Sequence, residues 1–195
     1  MFNLIMGQDG RRKYLTDRER DAILTHASTA DEAVYTFCSV LAATGCRISE
    51  ALTLRMRNID IESQSIIIEC LKKRRRGIYR AVPVPSDLIS LLVKVHNVSS
   101  NSDVRLWPWS RMTAWRKING LMDTAGIKGL QATPKGFRHG FGVTAIESGV
   151  PLNMVQKWLG HSDLRTTAIY TSAIGREELS IAERMWRKNQ LFNKI

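Results

Sequence analysis

The sequence predicts a mainly α-helical domain with a small three-stranded antiparallel sheet, an α+β fold. Apolar residues recur every three or four positions along most of the 195 residues, which is the spacing of amphipathic helices. One interval, residues 59–84, changes to short runs of β-branched residues separated by turn or charged residues. Capping and turn residues separate the helical segments, and no internal repeat or low-complexity tract interrupts them.

Three helices are predicted in the first third of the chain. Residues 16–19, Thr-Asp-Arg-Glu, fit a capping box, so the first helix should begin there and run to about Ala27. Apolar spacing within residues 34–41 predicts a second helix that ends at Gly45. A third is predicted over residues 48–56.

The predicted sheet has strands at residues 59–61, 65–70 and 78–84. A basic hairpin joins its last two strands. Five consecutive Lys and Arg residues, Lys72, Lys73, Arg74, Arg75 and Arg76, occupy this hairpin.

Helical spacing returns after the sheet. A polar loop at residues 97–103 separates the first of these helices from the rest. The helices are predicted around residues 88–95, over 111–124, from Thr133-Pro134 onward, over 152–159 before Gly160, and around 179–186.

Composition and charge narrow the function classes. Lys and Arg number 29 against 18 Asp and Glu, a net charge of +11, and the 44% hydrophobic and 24% charged content excludes wholesale disorder. The longest run without charge, residues 33–46, is too short to span a bilayer. Three cysteines without a CxxC pair favour neither a disulfide framework nor a zinc finger. We therefore expect a soluble protein of a reducing compartment whose partner is a polyanion, with nucleic acid first and an acidic membrane surface second.

Four segments carry residues suited to phosphate chemistry. They combine arginine, histidine, lysine and tyrosine with glycine turns or helix ends. The segments are Ala43–Glu50 (ATGCRISE), Thr133–Phe141 (TPKGFRHGF), Trp158–His161 (WLGH) and Thr166–Tyr170 (TTAIY).

In this order, the segments resemble the catalytic domain of the tyrosine recombinases, the phage integrase and Xer-type family. The family pattern is an arginine box, a hairpin lysine, H-x-x-R-H, L-G-H and a nucleophilic tyrosine. The resemblance covers residues 16–173 and implies that fold and a DNA-cutting activity. The catalytic residues that it implies are Arg47, Lys73, Lys135, Arg138, His161 and Tyr170, with Glu50 and His139 supporting them and no metal or other cofactor.

The expected chemistry is physically consistent with these residue types. Displacement at a phosphodiester builds negative charge on the non-bridging oxygens, and two arginines, Arg47 and Arg138, offer matching planar donors. A phenol with an ordinary pKa near 10 attacks poorly, so we expect nearby cations to favour the Tyr170 phenolate. Tyr14, Tyr35 and Tyr79 lie in no matching box, and we expect them to serve packing or the surface.

Two positions depart from the family pattern or leave it open. Lys135 replaces the usual first histidine of H-x-x-R-H, and a protonated lysine is a poor general base. The hairpin lysine that should protonate the leaving 5′-oxygen is assigned to Lys73, with Lys72 as the alternative. An ungapped alignment with the family pattern, counted back from Val82, would instead place Arg75 at the position of this lysine. Arginine is too basic to give up a proton readily.

The expected domain organisation is a basic N-terminal arm at residues 1–15, the catalytic domain at 16–175, and a C-terminal helix or tail at 176–195. We expect no separate core-binding domain before the catalytic one, in which case the chain is either a fragment or a minimal recombinase. The resemblance implies that the tail docks in cis or on a neighbouring protomer. DNA contacts are expected from the arm and the hairpin, at Arg11, Arg12, Lys13, Lys72, Arg74, Arg75 and Arg76.

The leading hypothesis is a site-specific recombinase or integrase that forms a 3′-phosphotyrosyl intermediate. Its expected partner is double-stranded DNA with a recombination site, bound by a cytoplasmic protein that is a monomer when free and a tetramer on synapsed DNA, with or without accessory DNA-bending proteins. One alternative is a DNA-binding regulator on the same scaffold, favoured by Lys135 and by the expected lack of a core-binding domain. Another is a relaxing enzyme similar to type IB topoisomerases.

Overall fold

The computed structural model describes residues 5–71, 77–96, 103–172 and 182–186, and most of it is helical. Eight α-helices and two short 3₁₀ helices are named in this part of the chain. The α-helices are α1 (Asp17–Ala30), α2 (Glu32–Thr44), α3 (Ile48–Ala51), α4 (Ser86–His96), α5 (Arg111–Thr124), α6 (Pro134–Glu147), α7 (Leu152–Leu159) and α8 (Arg165–Ala168). The 3₁₀ helices are Met56–Asn58 and Ile169–Ser172. Residues 182–186 are also helical, and the remainder of the predicted C-terminal helix lies outside the described residues.

Local capping explains most of the helix boundaries. The Thr16 hydroxyl accepts the Glu19 backbone N–H while the Glu19 side chain accepts the Thr16 N–H, which confirms the predicted capping box. Helix α1 continues to Ala30, three residues beyond the prediction. It ends there because the Asp31 carboxylate accepts the first backbone N–H groups of α2. Gly45 ends α2 in the left-handed conformation at φ 59°, as predicted.

The sheet has the predicted order and direction. Strands β1 (Ile59–Asp60), β2 (Ser65–Glu69) and β3 (Tyr79–Pro83) form an antiparallel sheet in that order. Ile66 is paired with both Ile59 and Val82, so the three strands are in register through their apolar positions. Residues 72–76, the tip of the basic hairpin, lie outside the described residues.

The third helix was predicted too long. Helix α3 has only four residues, and the chain turns at Leu52 before the 3₁₀ helix that starts at Met56. The turn is held because the Thr53 hydroxyl and backbone N–H both donate to the Glu50 carbonyl. Apolar side chains continue through this turn into the core, so their spacing resembles that of a longer helix.

Two apolar clusters make up the core. The larger one surrounds α2 and includes Phe37 and Trp107, whose rings meet edge to face at 5.0 Å. The smaller one lies where α6 and α7 meet, and it contains Val143, Leu159 and Tyr170. Helices α6 and α7 and the segment of Tyr170 therefore meet at this smaller cluster, whereas Cys46 and Ile48, on either side of Arg47, belong to the larger one.

Residues 5–15 pack against the domain. Met6 and Arg12 form an antiparallel bridge, and Ile5 is buried in the smaller cluster beside Tyr14. The boundary predicted after residue 15 is therefore not a break in packing. Within the described ranges, no helix is long and apolar enough to cross a membrane.

Candidate active site

The predicted catalytic residues of the described chain line one open cleft with a volume of about 590 Å³. They reach it from the turn before α3, the first half of α6, the segment after α7, and the second 3₁₀ helix. The described lining includes four cationic side chains and no carboxylate. Its predicted residues are Arg47, Lys135, Arg138, His139, His161 and Tyr170. Such a surface favours an anionic ligand.

Arg138 is fixed at the base of the cleft by two backbone carbonyls. Its guanidinium donates to the Gly45 oxygen at 2.9 Å and to the Leu159 oxygen at 2.7 Å. These carbonyls belong to the glycine turn after α2 and to the last residue of α7, so one side chain joins two of the predicted boxes. Burial, and then the charge of Arg47, lower the pKa of Arg138 to about 10, which leaves it charged at neutral pH.

Arg47 is oriented by the buried carboxylate of Glu50. The Arg47 guanidinium donates to one Glu50 oxygen at 2.8 Å, and Arg80 donates to the other at 2.7 Å. Glu50 is 0% exposed, and burial disfavours its ionised form. The hydrogen bonds and charges of Arg80 and Arg47 outweigh that burial and hold the pKa of Glu50 below its usual value. A carboxylate shared by two arginines leaves the site with a net positive charge.

Arg80 was not predicted from the sequence. It lies on the inward face of β3, where buried and exposed residues alternate, and its Nε donates to the Trp158 carbonyl at 2.6 Å. Its Nη1 donates to the Cys70 sulfur at 3.2 Å. The sequence did hold one signal for its burial. Arg80 lies two residues before the inward-facing Val82, and side chains at that spacing share a face of a strand. Arg80 thus connects the sheet, Glu50 and the segment before His161.

His161 follows directly after α7. Gly160 ends the helix at φ 67°, and the His161 backbone N–H donates to the Gln156 carbonyl. Its Nδ1 lies 2.9 Å from the hydroxyl oxygen of Thr167, a buried residue of the TTAIY segment for which the sequence predicted no role of its own. Burial, and then the charges of Arg138 and Arg47, lower the pKa of His161 to about 3, so its imidazole is neutral at pH 7.

Tyr170 lines the cleft but is only 1% exposed. Its hydroxyl lies 3.2 Å from Nδ1 of His139. Its ring is parallel to that of His161, with 6.4 Å between centroids, and it covers Gly142 of α6. A Cβ at Gly142 would lie 2.6–2.7 Å from three ring atoms, so only glycine allows this approach.

Burial raises the pKa of the Tyr170 phenol above its usual value, although Arg138 and Arg47 act in the opposite direction. The two cations therefore act in the expected direction, but they do not make the phenol more acidic than usual in the free protein. Removal of the ring from water outweighs the two positive charges. Burial, and then the charges of Lys135 and Arg138, lower the pKa of His139 to about 4, so that ring is neutral as well.

Lys135 lines the cleft from the first turn of α6, as predicted for a site residue. Arg111 and Trp115 of α5 also line it, with Trp115 42% exposed, and neither was predicted from the sequence. Arg11 pairs with Asp9, and the half-buried Arg12 pairs with Glu19, so both charges have partners within the domain. Lys13 is half-buried, and its charge adds to the effects of burial and Lys135 that lower the pKa of His139. The hairpin residues Lys72, Lys73, Arg74, Arg75 and Arg76 lie outside the described residues.

In the part of the chain that the structure describes, no group of three or more His, Cys, Asp or Glu side chains could hold a metal ion. Cys38, Cys46 and Cys70 are unpaired and buried there. Burial raises the pKa of Cys38 to about 12 and that of Cys46 to about 11, so both are inert thiols.

Known proteins of one family match this chain. The family model described as "Phage integrase family" matches residues 13–175. Tyrosine recombinase XerA of Pyrococcus furiosus is 28% identical over 165 residues, which cover 80% of this chain and 54% of that protein. The chain spans about half the length of the curated relatives it matches.

Two solved structures share the fold. The crystal structure of XerA recombinase matches with a TM-score of 0.73 and 25% identity, over 90% of this chain and 64% of that one. The post-cleavage complex of the XerH site-specific recombinase with palindromic difH substrate matches with a TM-score of 0.71 and 22% identity, over 90% of this chain and 53% of that one. The mainly helical fold with its three-stranded sheet is therefore that of a tyrosine recombinase catalytic domain.

Proposed function

The chain belongs to the phage integrase family, and on that premise we propose that it is a site-specific DNA recombinase that cuts and rejoins strands through a 3′-phosphotyrosyl intermediate. One observation carries this proposal. Six predicted residues, separated by up to 123 positions in sequence, line a single cationic cleft. A scaffold that only bound DNA would not require a tyrosine, two arginines and a histidine to meet there.

The arginines supply the electrostatic part of the reaction. Arg47 and Arg138 are held by a carboxylate and by two carbonyls, respectively, so little reorganisation is needed when a phosphate enters. Arg138 keeps N–H groups beyond the two that it donates to carbonyls. Charge that develops on the non-bridging oxygens of the transition state is stabilised by both guanidinium groups.

Tyr170 is the nucleophile in this proposal. Its oxygen attacks phosphorus, the bond from phosphorus to the 5′-oxygen breaks, and the energy of that ester is kept in the new protein–DNA bond. The phenol enters neutral because burial raises its pKa, so its proton passes to water of the open cleft as the attack proceeds. His139, with a pKa of about 4, is a weak acceptor for this proton. We therefore assign His139 to holding the phenol oxygen in place.

The remaining groups complete the site. Lys135 lies in the cleft and donates to the phosphate, a role that suits a protonated lysine better than that of a base. Lys73, or Lys72 in its place, protonates the leaving 5′-oxygen. Rejoining requires neither ATP nor a metal ion, because the reverse attack by a 5′-hydroxyl uses the same groups.

The proposed partner is double-stranded DNA that carries a recombination site, in the cytoplasm. Support comes from the +11 net charge and from the likeness to the XerH complex with its DNA substrate. The assembly on synapsed DNA is a tetramer, and the free protein is a monomer. Accessory DNA-bending proteins belong to the same proposal.

Adduct formation on nicked DNA tests the proposal. A nick next to the scissile phosphate lets a short 5′-hydroxyl fragment diffuse away, so the covalent complex accumulates and is seen by denaturing electrophoresis. A pool of candidate sites should give adducts with the wild type, also in the presence of EDTA. Tyr170→Phe should bind the same DNA without any adduct, while the control Tyr35→Phe forms adducts normally. DNA binding by the wild type with no adduct on any site would favour the regulator alternative instead.

A further inference from the structure

The hydroxyl of Thr167 and the ring of His161 form a contact that the proposed chemistry has not used. Thr167 is in α8, six residues after His161, and its oxygen lies 2.9 Å from Nδ1. The Thr167 side chain is 0% exposed. Because no solvent reaches it, this hydroxyl must satisfy its hydrogen-bonding capacity within the protein.

Hydrogen-bond accounting determines the direction of this bond. The Thr167 backbone N–H donates to the Leu164 carbonyl, and Nδ1 is the one partner of the Thr167 hydroxyl in the described part of the chain. If the imidazole donated, the hydroxyl proton would be buried without an acceptor, at a cost of about 1–3 kcal/mol. If the hydroxyl donates, Nδ1 accepts and every polar atom of the contact is satisfied. The second arrangement is therefore favoured.

An imidazole that accepts at Nδ1 carries its proton on Nε2 when it is neutral. His161 lines the cleft, and Nδ1 is occupied by Thr167, so Nε2 is the ring nitrogen left to meet a ligand there. We propose that Thr167 is a positioning residue that fixes His161 in the Nε2–H tautomer, so that the ring donates a hydrogen bond to a phosphate oxygen in the cleft. The identity of that ligand rests on the proposed function, whereas the tautomer does not.

This arrangement makes His161 a neutral donor rather than a cation. Its low pKa, caused first by burial and then by Arg138 and Arg47, keeps the ring neutral, with one proton on its two nitrogens. A neutral ring without the Thr167 contact would be free to place that proton on either nitrogen. The molecules with the proton on Nδ1 would then present a lone pair, and not a donor, to the phosphate oxygen.

The tautomer is measured directly by long-range ¹H–¹⁵N correlation spectra of the uniformly ¹⁵N-labelled full chain at pH 7. The chain has only four histidines, and the His161 signals are assigned as those missing from His161→Gln. The wild type should show the Nε2–H pattern for His161. Thr167→Val, which keeps the shape and removes the hydroxyl, should show a mixture or the Nδ1–H pattern. Thr167→Ser should restore the wild-type pattern.

A neighbouring threonine provides the matched control. Thr166→Val makes the same chemical change at an exposed position one residue away, and it should leave the His161 pattern unchanged. On nicked DNA, Thr167→Val should form adducts about 10- to 100-fold more slowly than the wild type, with Thr167→Ser close to the wild type. Thermal melting of each variant separates this effect from loss of folding.

Two results would overturn the inference. One is an Nδ1–H pattern in the wild type, and the other is an Nε2–H pattern that persists in a folded Thr167→Val. Failure of the proposed function gives a different outcome, since the tautomer would change with Thr167 as stated while no variant formed any DNA adduct.

Discussion

Replacing Gly142 by alanine tests how Tyr170 is held. Gly142 lies inside α6, where alanine alone would favour the helix by about 1 kcal/mol. The added Cβ, however, would lie 2.6, 2.6 and 2.7 Å from three atoms of the Tyr170 ring. Separations below 3.0 Å essentially never occur for real Cβ atoms. The ring must therefore move by several tenths of an ångström or more, away from the position at which its oxygen meets His139.

The expected magnitudes follow from this overlap. Overpacking of a buried site costs about 1–3 kcal/mol, which cancels or exceeds the helix gain. Gly120→Ala is the matched control, because Gly120 is an exposed glycine inside α5 whose added Cβ meets nothing within 4 Å. The two variants should therefore differ by about 1–3 kcal/mol in unfolding free energy, or about 2–12 °C in Tm for a chain of this size.

Activity should separate the variants further. Misplacing a reacting group by about 1 Å costs up to about 100-fold in rate, so Gly142→Ala should form DNA adducts about 10- to 100-fold more slowly than the wild type. Gly120→Ala should match the wild type. Single-turnover adduct formation on nicked DNA, together with thermal melting, measures both effects. A Gly142→Ala protein that forms adducts at the wild-type rate or faster would refute the claim that this packing holds Tyr170, the proposed nucleophile, in its working position.

Three further predictions concern stability and the hairpin. Arg80→Met should lower the unfolding free energy by about 3–5 kcal/mol in urea titrations, because it leaves the buried Glu50 with one partner fewer. Glu50→Gln should lower the unfolding free energy less in the Arg80→Met protein than in the wild type. The pKa of His139 is lowered from 6.5 to about 4, so as the pH falls the unfolded state binds a proton before the folded state does. The stability that this histidine contributes is therefore complete above pH 6.5 and is lost as the pH falls toward 4. His139→Gln should remove about 3 kcal/mol of that pH dependence, and identical pH profiles of the two proteins would contradict the burial argument. Lys73→Ala should cleave normal DNA poorly and a 5′-thio substrate almost normally, because a thiolate leaves without protonation; the same rescue in Lys72→Ala would move the role by one residue.

Local chemistry made much of the fold predictable. The capping box at Thr16 and the glycine stop at Gly45 depend on neighbouring residues only, and both agree with the structure. The strands could be predicted because short runs of β-branched residues replace the helical spacing of apolar residues there. Helix α3 was misjudged because Leu52 and Leu54 are buried in a turn, where apolar spacing no longer reports a helix.

The sequence motifs predicted six residues that line the cleft. The residues that hold them in place depend on tertiary contacts, which the motifs do not record. Gly142 touches Tyr170 across 28 positions of sequence, and Arg80 reaches Glu50 across 30. The direction of the Tyr170 pKa shift also depends on packing, because burial and two arginines oppose each other and only the folded structure shows which is larger.

Mapping the covalent attachment site tests the central claim most directly. Adducts trapped on nicked DNA are digested with a protease and a nuclease, and the peptide that retains a nucleotide is sequenced by mass spectrometry. The account predicts that the nucleotide is attached to Tyr170 through a 3′-phosphate, and that the released strand carries a free 5′-hydroxyl that a kinase can label. A nucleotide on any other residue, or a released strand with a 5′-phosphate, would contradict it.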